Sequence, residues 1–305
     1  MVSKSKIKTH NTVSFRERYM YPEQELDQLL KPQFSKFFIV KVEDMIRLIK
    51  LPVPPTRATG HSLIYLTAGE AIMTIGSDTY KIYKDECLVV PAGQVYAFAS
   101  LDINKGYLCH FQNDMISSRF GKQELIRDME FLQVWSHPRI SLDKQSSGFV
   151  AMLFKRLLLD YTAHGLNNPD ILQSYFIALL CELNKAGKQD AGKIPAPSAT
   201  ISNRFRKLLF AHVRSKHQVS DYARLLSITP NHLNKTVKAV TGKSPGKWID
   251  EAIVLEAKVL LYQSNLSISA IAAELGFDDP SYFTRLFKKY EGTTPLSFRK
   301  RIEKS

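Results

Sequence analysis

Two stretches of this chain repeat each other fifty residues apart, and that repeat limits the C-terminal third to one kind of architecture. Thr229-Pro230 corresponds to Asp279-Pro280, in each case a side-chain oxygen followed by proline, which starts a helix. Leu233 and Val237 correspond to Phe283 and Phe287, an apolar i, i+4 pair. Gly242 corresponds to Gly292 at the helix end. Ser244-Pro245 corresponds to Thr294-Pro295, a second cap and proline, and Trp248 corresponds to Phe298. Upstream, Ser220-x-x-Ala223-x-x-Leu226 matches Ser269-x-x-Ala272-x-x-Leu275 at an offset of 49, so the extra residue, Asp278, falls in the turn, where a length change is tolerated.

Each copy therefore reads as helix, short turn, helix, with a small alanine where the two helices meet. In a helix-turn-helix the second helix enters the DNA major groove, which has room for one α-helix. Helical spacing puts Asn231, Asn234, Lys235 and Lys238 opposite Leu233 and Val237. It puts Ser281, Thr284, Arg285 and Lys288 opposite Phe283 and Phe287. Asn pairs with adenine and Arg or Lys with guanine, while hydroxyls and lysines suit phosphate. Residues 245–264 read as one helix of about 20 residues, roughly 30 Å long, close to the ~34 Å between successive major grooves on one face of B-DNA.

Charge supports a polyanionic partner. The net charge is +13, and residues 201–305 hold 18 Lys and Arg against 9 Asp and Glu. The chain has 305 residues, which suits two domains. Residues 184–200 are rich in Gly, Pro, Ala and Lys and read as a linker between an N-terminal region, 1–183, and a C-terminal one, 201–305. No run of about 18 apolar residues suggests a membrane span, and residues 1–20 lack the apolar block of a signal peptide, so a cytoplasmic protein is expected. Cys87, Cys109 and Cys181 lie far apart among apolar neighbours and read as buried free thiols.

Short β-rich runs punctuated by Gly69, Gly76, Pro91-Ala92-Gly93 and Gly106 fill residues 35–112 and predict an all-β barrel or sandwich. Two helical patterns follow, from about Phe149 to Ala163 and from Pro169 to about Leu183. Asn168 reads as the cap of the second and Gly165 as the stop of the first. Both are apolar nearly all round, as for a core or an oligomer interface. The fold class expected is thus α+β multidomain: a β-domain with a helical hairpin, then an all-α domain.

A dense set of C-terminal residues resembles the signature of the AraC/XylS transcriptional regulators: Ser269, Ile271, Ala272, Gly276, Phe277, Ser281, Tyr282, Phe283, Arg285, Phe287, Lys288, Gly292, Pro295, Phe298 and Arg299. The resemblance spans about residues 201–301. It implies two helix-turn-helix units joined by a linker helix and bound in adjacent major grooves. It assigns base reading to Asn231, Asn234 and Lys235 in the first unit and to Ser281, Tyr282 and Arg285 in the second. Thr284 and Lys288 would serve mainly the DNA backbone. Ile253 departs from the pattern, where many members carry an arginine. Val89-Val90-Pro91-Ala92-Gly93 is similar to a cupin turn, which implies a cupin-like sensor barrel. Tyr96 stands where metal-binding cupins place a histidine, and Pro55, Arg57 and Ser62 fall near the other ligand positions, so no metal and no cofactor are expected.

The leading expectation is a sequence-specific transcription regulator modulated by a small molecule held in the N-terminal barrel. Arg57, His61, Tyr65, Tyr96 and His110 are the candidate pocket residues. Expected partners are double-stranded promoter or operator DNA, RNA polymerase, an unidentified effector and a second copy of the chain docked through the hairpin. The alternative, a metal-dependent cupin enzyme fused to a DNA-binding tail, needs a ligand cluster that the sequence lacks. A non-specific architectural binder would favour uniform lysine over these mixed Asn, Ser, Tyr and Arg faces.

Overall fold

A computed structural model describes residues 12–302 except 58, 100–103, 117–128, 134–135, 168 and 191–195. The described residues fall into two compact units that divide at 193/194.

The N-terminal unit is an antiparallel sheet of eight strands flanked by helices. In chain order the elements are α1 (Thr12–Tyr19), α2 (Gln24–Leu29), β1 (Phe37–Lys41), α3 (Val42–Met45), β2 (Val53–Arg57), β3 (His61–Ile75), β4 (Asp78–Tyr83), β5 (Glu86–Val90), β6 (Val95–Phe98), β7 (Asn104–Phe111), β8 (Arg139–Ser141), α4 (Lys144–His164) and α5 (Pro169–Asp190). The main path runs β1-β7-β3-β5-β8, with β4 and β6 also paired to β3 and β2 to β6.

The pleat explains why these strands show little polar–apolar alternation. Both faces are covered, so both are apolar. Leu63, Tyr65, Cys87, Val89, Tyr107, Cys109 and Phe111 belong to the core that also holds α4 and α5. The alternate residues Ile64, Leu66, Leu88 and Val90 build a second, smaller core on the other face. Aromatic stacking seals the first layer. Phe154 of α4 lies between Tyr65 and Tyr107, each with its ring centroid 5.3 Å away. Phe176 of α5 meets Phe37 and Phe111 edge-on at 5.3 and 4.7 Å.

Several boundaries differ from the sequence reading. The runs 61–67 and 71–75 are one strand: the ladder absorbs a register shift between Leu66 and Ala68 instead of breaking, and Gly69 carries the strand on with a positive φ of 78°. Strands β2 and β8 escaped notice: β2 contains two prolines and β8 has three residues. Helix α4 begins at Lys144, five residues before the apolar pattern, because Asp143 accepts from the Ser146 N–H (2.7 Å) as its cap. Gly165 ends α4 with φ 59°. Helix α5 continues to Asp190, into the stretch read as linker, since Ala186 is buried in the core and its Lys and Gln neighbours are good helix formers. Asn168 lies outside the described residues. Cys87 and Cys109 are buried as expected, but Cys181 is exposed: it shares the outward face of α5 with Ile171 and Ala178.

The C-terminal unit is all helical: α6 (Ala196–His212), α7 (Val219–Leu225), α8 (Pro230–Thr241), α9 (Pro245–Gln263), α10 (Ile268–Glu274), α11 (Pro280–Glu291) and α12 (Pro295–Ile302). Side-chain oxygens of Thr229, Ser244, Ser267, Asp279 and Thr294 accept from backbone N–H groups at the starts of α8 to α12. Gly242 and Gly292 close α8 and α11 in the left-handed region at φ 72° and 70°. The turn inside each helix pair also needs a positive φ, at Ser227 (57°) and Gly276 (81°). Only at Gly276 would a Cβ collide with backbone, at 2.3 Å from the Arg214 carbonyl oxygen.

The two turns therefore respond differently to substitution. Gly276→Ala is expected to destabilise the chain by about 3 kcal/mol or more, from contact and backbone strain together. Ser227→Gly is expected to be neutral or to stabilise by up to about 1 kcal/mol. Urea unfolding of both variants checks this; a Gly276→Ala protein as stable as the parent contradicts it.

Candidate functional sites

Helices α8 and α11 present the same surface. Residue by residue, positions 231–240 and 281–290 have the same burial sequence, from two exposed residues through the buried 233, 236, 237 and 283, 286, 287. Leu233, Val237, Phe283 and Phe287 are fully buried. Asn231, Lys235 and Lys238 are exposed on α8, as are Ser281, Tyr282, Arg285 and Lys288 on α11. Asn234 and Thr284 are half-buried, and each is already engaged. Asn234 Nδ2 donates to the Pro230 carbonyl at 3.0 Å and Thr284 Oγ1 to the Pro280 carbonyl at 2.9 Å. Either group must exchange that bond before it contacts anything else. Tyr282 leans its ring on Phe277, 5.7 Å away, and is about half exposed. At the start of α11 the Ser281 N–H holds the Asp279 carboxyl below its usual range. His232, between Asn231 and Leu233, is exposed on the same helix and was not singled out from the sequence.

Each helix pair packs an alanine at its crossing: Ala223 and Ala272 are buried. Helix α9 is buried along most of its length, from Trp248 to Leu261, and touches all six other helices of the unit. Ile253 is among these buried residues, which explains an apolar side chain there. Arg214 bridges Glu256 of α9 (3.0 Å) and Glu274 of α10 (3.4 Å).

A helix-turn-helix domain family model matches residues 222–301. An uncharacterized HTH-type transcriptional regulator of Bacillus subtilis, YisR, is 29% identical over 160 residues, 52% of this chain and 54% of that protein. The arabinose operon regulatory protein of Escherichia coli is 31% identical over 85 residues, 28% of this chain and 29% of that protein. Residues 222–301 form a helix-turn-helix domain of this family. The chain spans about half the length of the Bacillus relative and less of the Escherichia one. Among solved structures, ToxT of Vibrio cholerae with an unsaturated fatty acid bound is 14% identical, with a TM-score of 0.39 over 86% of this chain and 94% of that one.

The N-terminal unit holds a cavity of about 140 Å³ on the sheet face away from α4 and α5. The pleat decides which candidates reach it. Tyr96 and His110 line it; Arg57, His61 and Tyr65 do not. Tyr65 points to the other face, where its hydroxyl meets Ser147 Oγ at 3.0 Å and Asp85 Oδ1 at 3.3 Å. Arg57 donates to the Gly93 carbonyl in the β5–β6 turn. His61 is a structural clamp. Its Nδ1 accepts from the Ala92 N–H at 3.0 Å and its Nε2 meets Asn113 Oδ1 at 2.8 Å, which fixes the neutral ring with the proton on Nε2. His110 Nδ1 lies 3.1 Å from Ser62 Oγ and its Nε2 3.0 Å from Thr12 Oγ1, with its ring stacked on Phe38. Sequence reasoning missed the wall residues Thr12, Ser62 and Asn104. A lone polar residue in a strand or short helix carries no sign of facing a cavity.

Burial lowers both histidines from 6.5 to about 4; Asn113 partly offsets this at His61, and His61 adds to it at His110. Their folded pKa values lie below the unfolded ones, so the unfolded chain binds more protons between these limits. Stability is complete above about pH 6.5 and falls as the pH drops toward 4. Between pH 6.5 and pH 5 the loss is about 2 kcal/mol per histidine. Urea unfolding of the parent and of His110→Gln at pH 7 and 5 tests this. The variant should lose less stability on acidification, and an equal loss contradicts the assignment.

Proposed function

We propose that the chain is a sequence-specific DNA-binding transcription regulator governed by a small molecule held in its N-terminal unit. The observation that carries this reading is the pair α8 and α11, alike in caps, burial and polar face. In the proposed arrangement α7–α8 and α10–α11 are two helix-turn-helix units, and α9 sets their spacing. Asn231, Lys235, Ser281, Tyr282 and Arg285 read bases, with Asn234 joining by breaking its bond to Pro230. Lys238, Thr284 and Lys288 serve the phosphates. The sheet is a cupin-like barrel that acts as sensor within residues 1–183, with the junction to residues 201–305 in 184–200. No helix among the described residues is long and apolar enough to cross a membrane, which fits a cytoplasmic regulator. RNA polymerase is a further proposed partner.

Strands β3, β5 and β7 support a route from sensor to oligomer, since one face of each borders the cavity and the other packs under α4 and α5. A ligand regulates only if it binds one arrangement better than the other. The outer face of α4 carries Phe149, Met152 and Leu159 at helical spacing, the last two 64% and 57% exposed, and Ile171 and Tyr175 extend it on α5. This stripe is the proposed homodimer contact.

On DNA carrying a selected site, Arg285→Ala is expected to cost ~1–3 kcal/mol and relax specificity at one base pair. Lys288→Ala should weaken binding to all sequences alike and reduce the salt slope by about one. Equal loss for Arg285→Ala on selected and random DNA would contradict base reading. In sedimentation equilibrium the parent should be a dimer and Met152→Glu/Leu159→Glu a monomer; an unchanged oligomeric state would move the interface elsewhere.

A further inference from the structure

We infer that His217, in the turn between α6 and α7, is a positioning residue for base reading by α11, acting through Phe277 on Tyr282. This rests on the reading of α11 as a DNA-reading helix and adds to its specificity a residue that lies outside it.

By sequence His217 leads into the first helix pair, two residues before α7, but its ring packs on the second. It lies over Phe277 with centroids 4.4 Å apart and planes 19° from parallel. Phe277 follows Gly276 in the turn between α10 and α11 and is buried. Its ring in turn meets Tyr282 at 5.7 Å and the fully buried Phe283 at 5.8 Å. Phe277 is the ring contact of Tyr282 among the described residues. A half-exposed tyrosine with no backing must be ordered when it binds, at a cost in affinity. The row His217, Phe277, Tyr282 orders it beforehand.

The segment that carries His217 is itself fixed from both helix pairs. Tyr222 of α7 donates its hydroxyl to the Lys216 carbonyl at 2.8 Å. Arg214 bridges Glu256 and Glu274, and its carbonyl oxygen lies against Gly276, where no side chain fits. Burial holds His217 below its ordinary pKa and outweighs the nearby Leu275 and Val213 carbonyls and the charge of Asp221, so the ring is neutral at pH 7. Its Nε2 is buried without a hydrogen-bond partner among the described residues, which leaves the flat face of the ring as what His217 offers. The first helix pair has no such row. Leu266, Ile228 and His232 correspond to His217, Phe277 and Tyr282, and His232 has no ring contact among the described residues. Loss of His217 should therefore disturb one recognition helix and spare the other.

Binding of the full-length chain to a duplex selected from a random pool, and to each single base-pair substitution of it, tests the inference. The base pair that Arg285→Ala relaxes marks the block read by α11. His217→Ala should weaken binding to the selected duplex about 3–10-fold, the worth of one aromatic pair. The lost discrimination should lie in the α11 block, with the other block and random duplex bound as by the parent. His217→Ala/Tyr282→Ala should bind no more weakly than Tyr282→Ala alone, and His217→Phe, which keeps the flat ring, should restore the parent's profile. Phe277→Leu breaks the row at its middle and should show the same confined loss, which gives a reading even where His217→Ala does not fold. A loss spread over both blocks and random duplex would overturn the inference, as would additive losses, a His217→Phe as weak as His217→Ala, or an intact profile in Phe277→Leu. Failure of the pool to enrich any sequence would sink the regulator reading and this inference with it. Enrichment with a His217→Ala profile like the parent's would sink this inference alone.

Discussion

The C-terminal unit depends on the burial of α9. A helix of 19 residues spans about 28 Å and is solvated on one side in most small proteins. Here Trp248, Ile249, Ala252, Ile253, Val254, Leu255, Ala257, Val259, Leu260 and Leu261 are all buried, so the helix must be enclosed by its neighbours. The other six helices do this, and α7–α8 and α10–α11 are both seated on the same rod. Arg214 adds a polar tie to Glu256 and Glu274, joining the segment before α7 to α9 and α10. Gly276 belongs to the same constraint: its turn runs against the Arg214 backbone so closely that no side chain fits. A rigid spacer of this length turns two ordinary amphipathic helices into a pair with a fixed relation.

Much of this was legible in the sequence because the signals are local. A cap oxygen followed by proline, a glycine at a helix end and an apolar i, i+4 pair each act within one or two turns of backbone, and all recur at the same offset. Thr229-Pro230 and Asp279-Pro280 start helices where expected, and Gly242 and Gly292 end them. Asn234 shows the limit of such reasoning. Helical spacing places it on the polar face, but its amide is occupied by the Pro230 carbonyl, which only the local geometry reveals.

The N-terminal unit was less legible because its signals are non-local. Sheet faces are distinguished by alternation only when one is wet. With both faces dry, Tyr65 and Ile64 look equally suited to a pocket, and the docking of α4 against one face makes the choice. Phe154 between Tyr65 and Tyr107 fixes which parity faces the hairpin. The residues that remain for the cavity are those one position on: Ser62 and Ile64 on β3, Leu88 and Val90 on β5, Leu108 and His110 on β7. The same sheet thus gives two different environments, an aromatic seal on one side and a small uncharged cavity on the other.

The most direct test of the central claim, that two equivalent helices read DNA together, is selection of bound sequences from a random duplex pool by the full-length chain at physiological salt. The account predicts enrichment of two short sequence blocks about one helical turn, ~10 base pairs, apart. A single enriched block, or binding without enrichment that only weakens as salt rises, would contradict it.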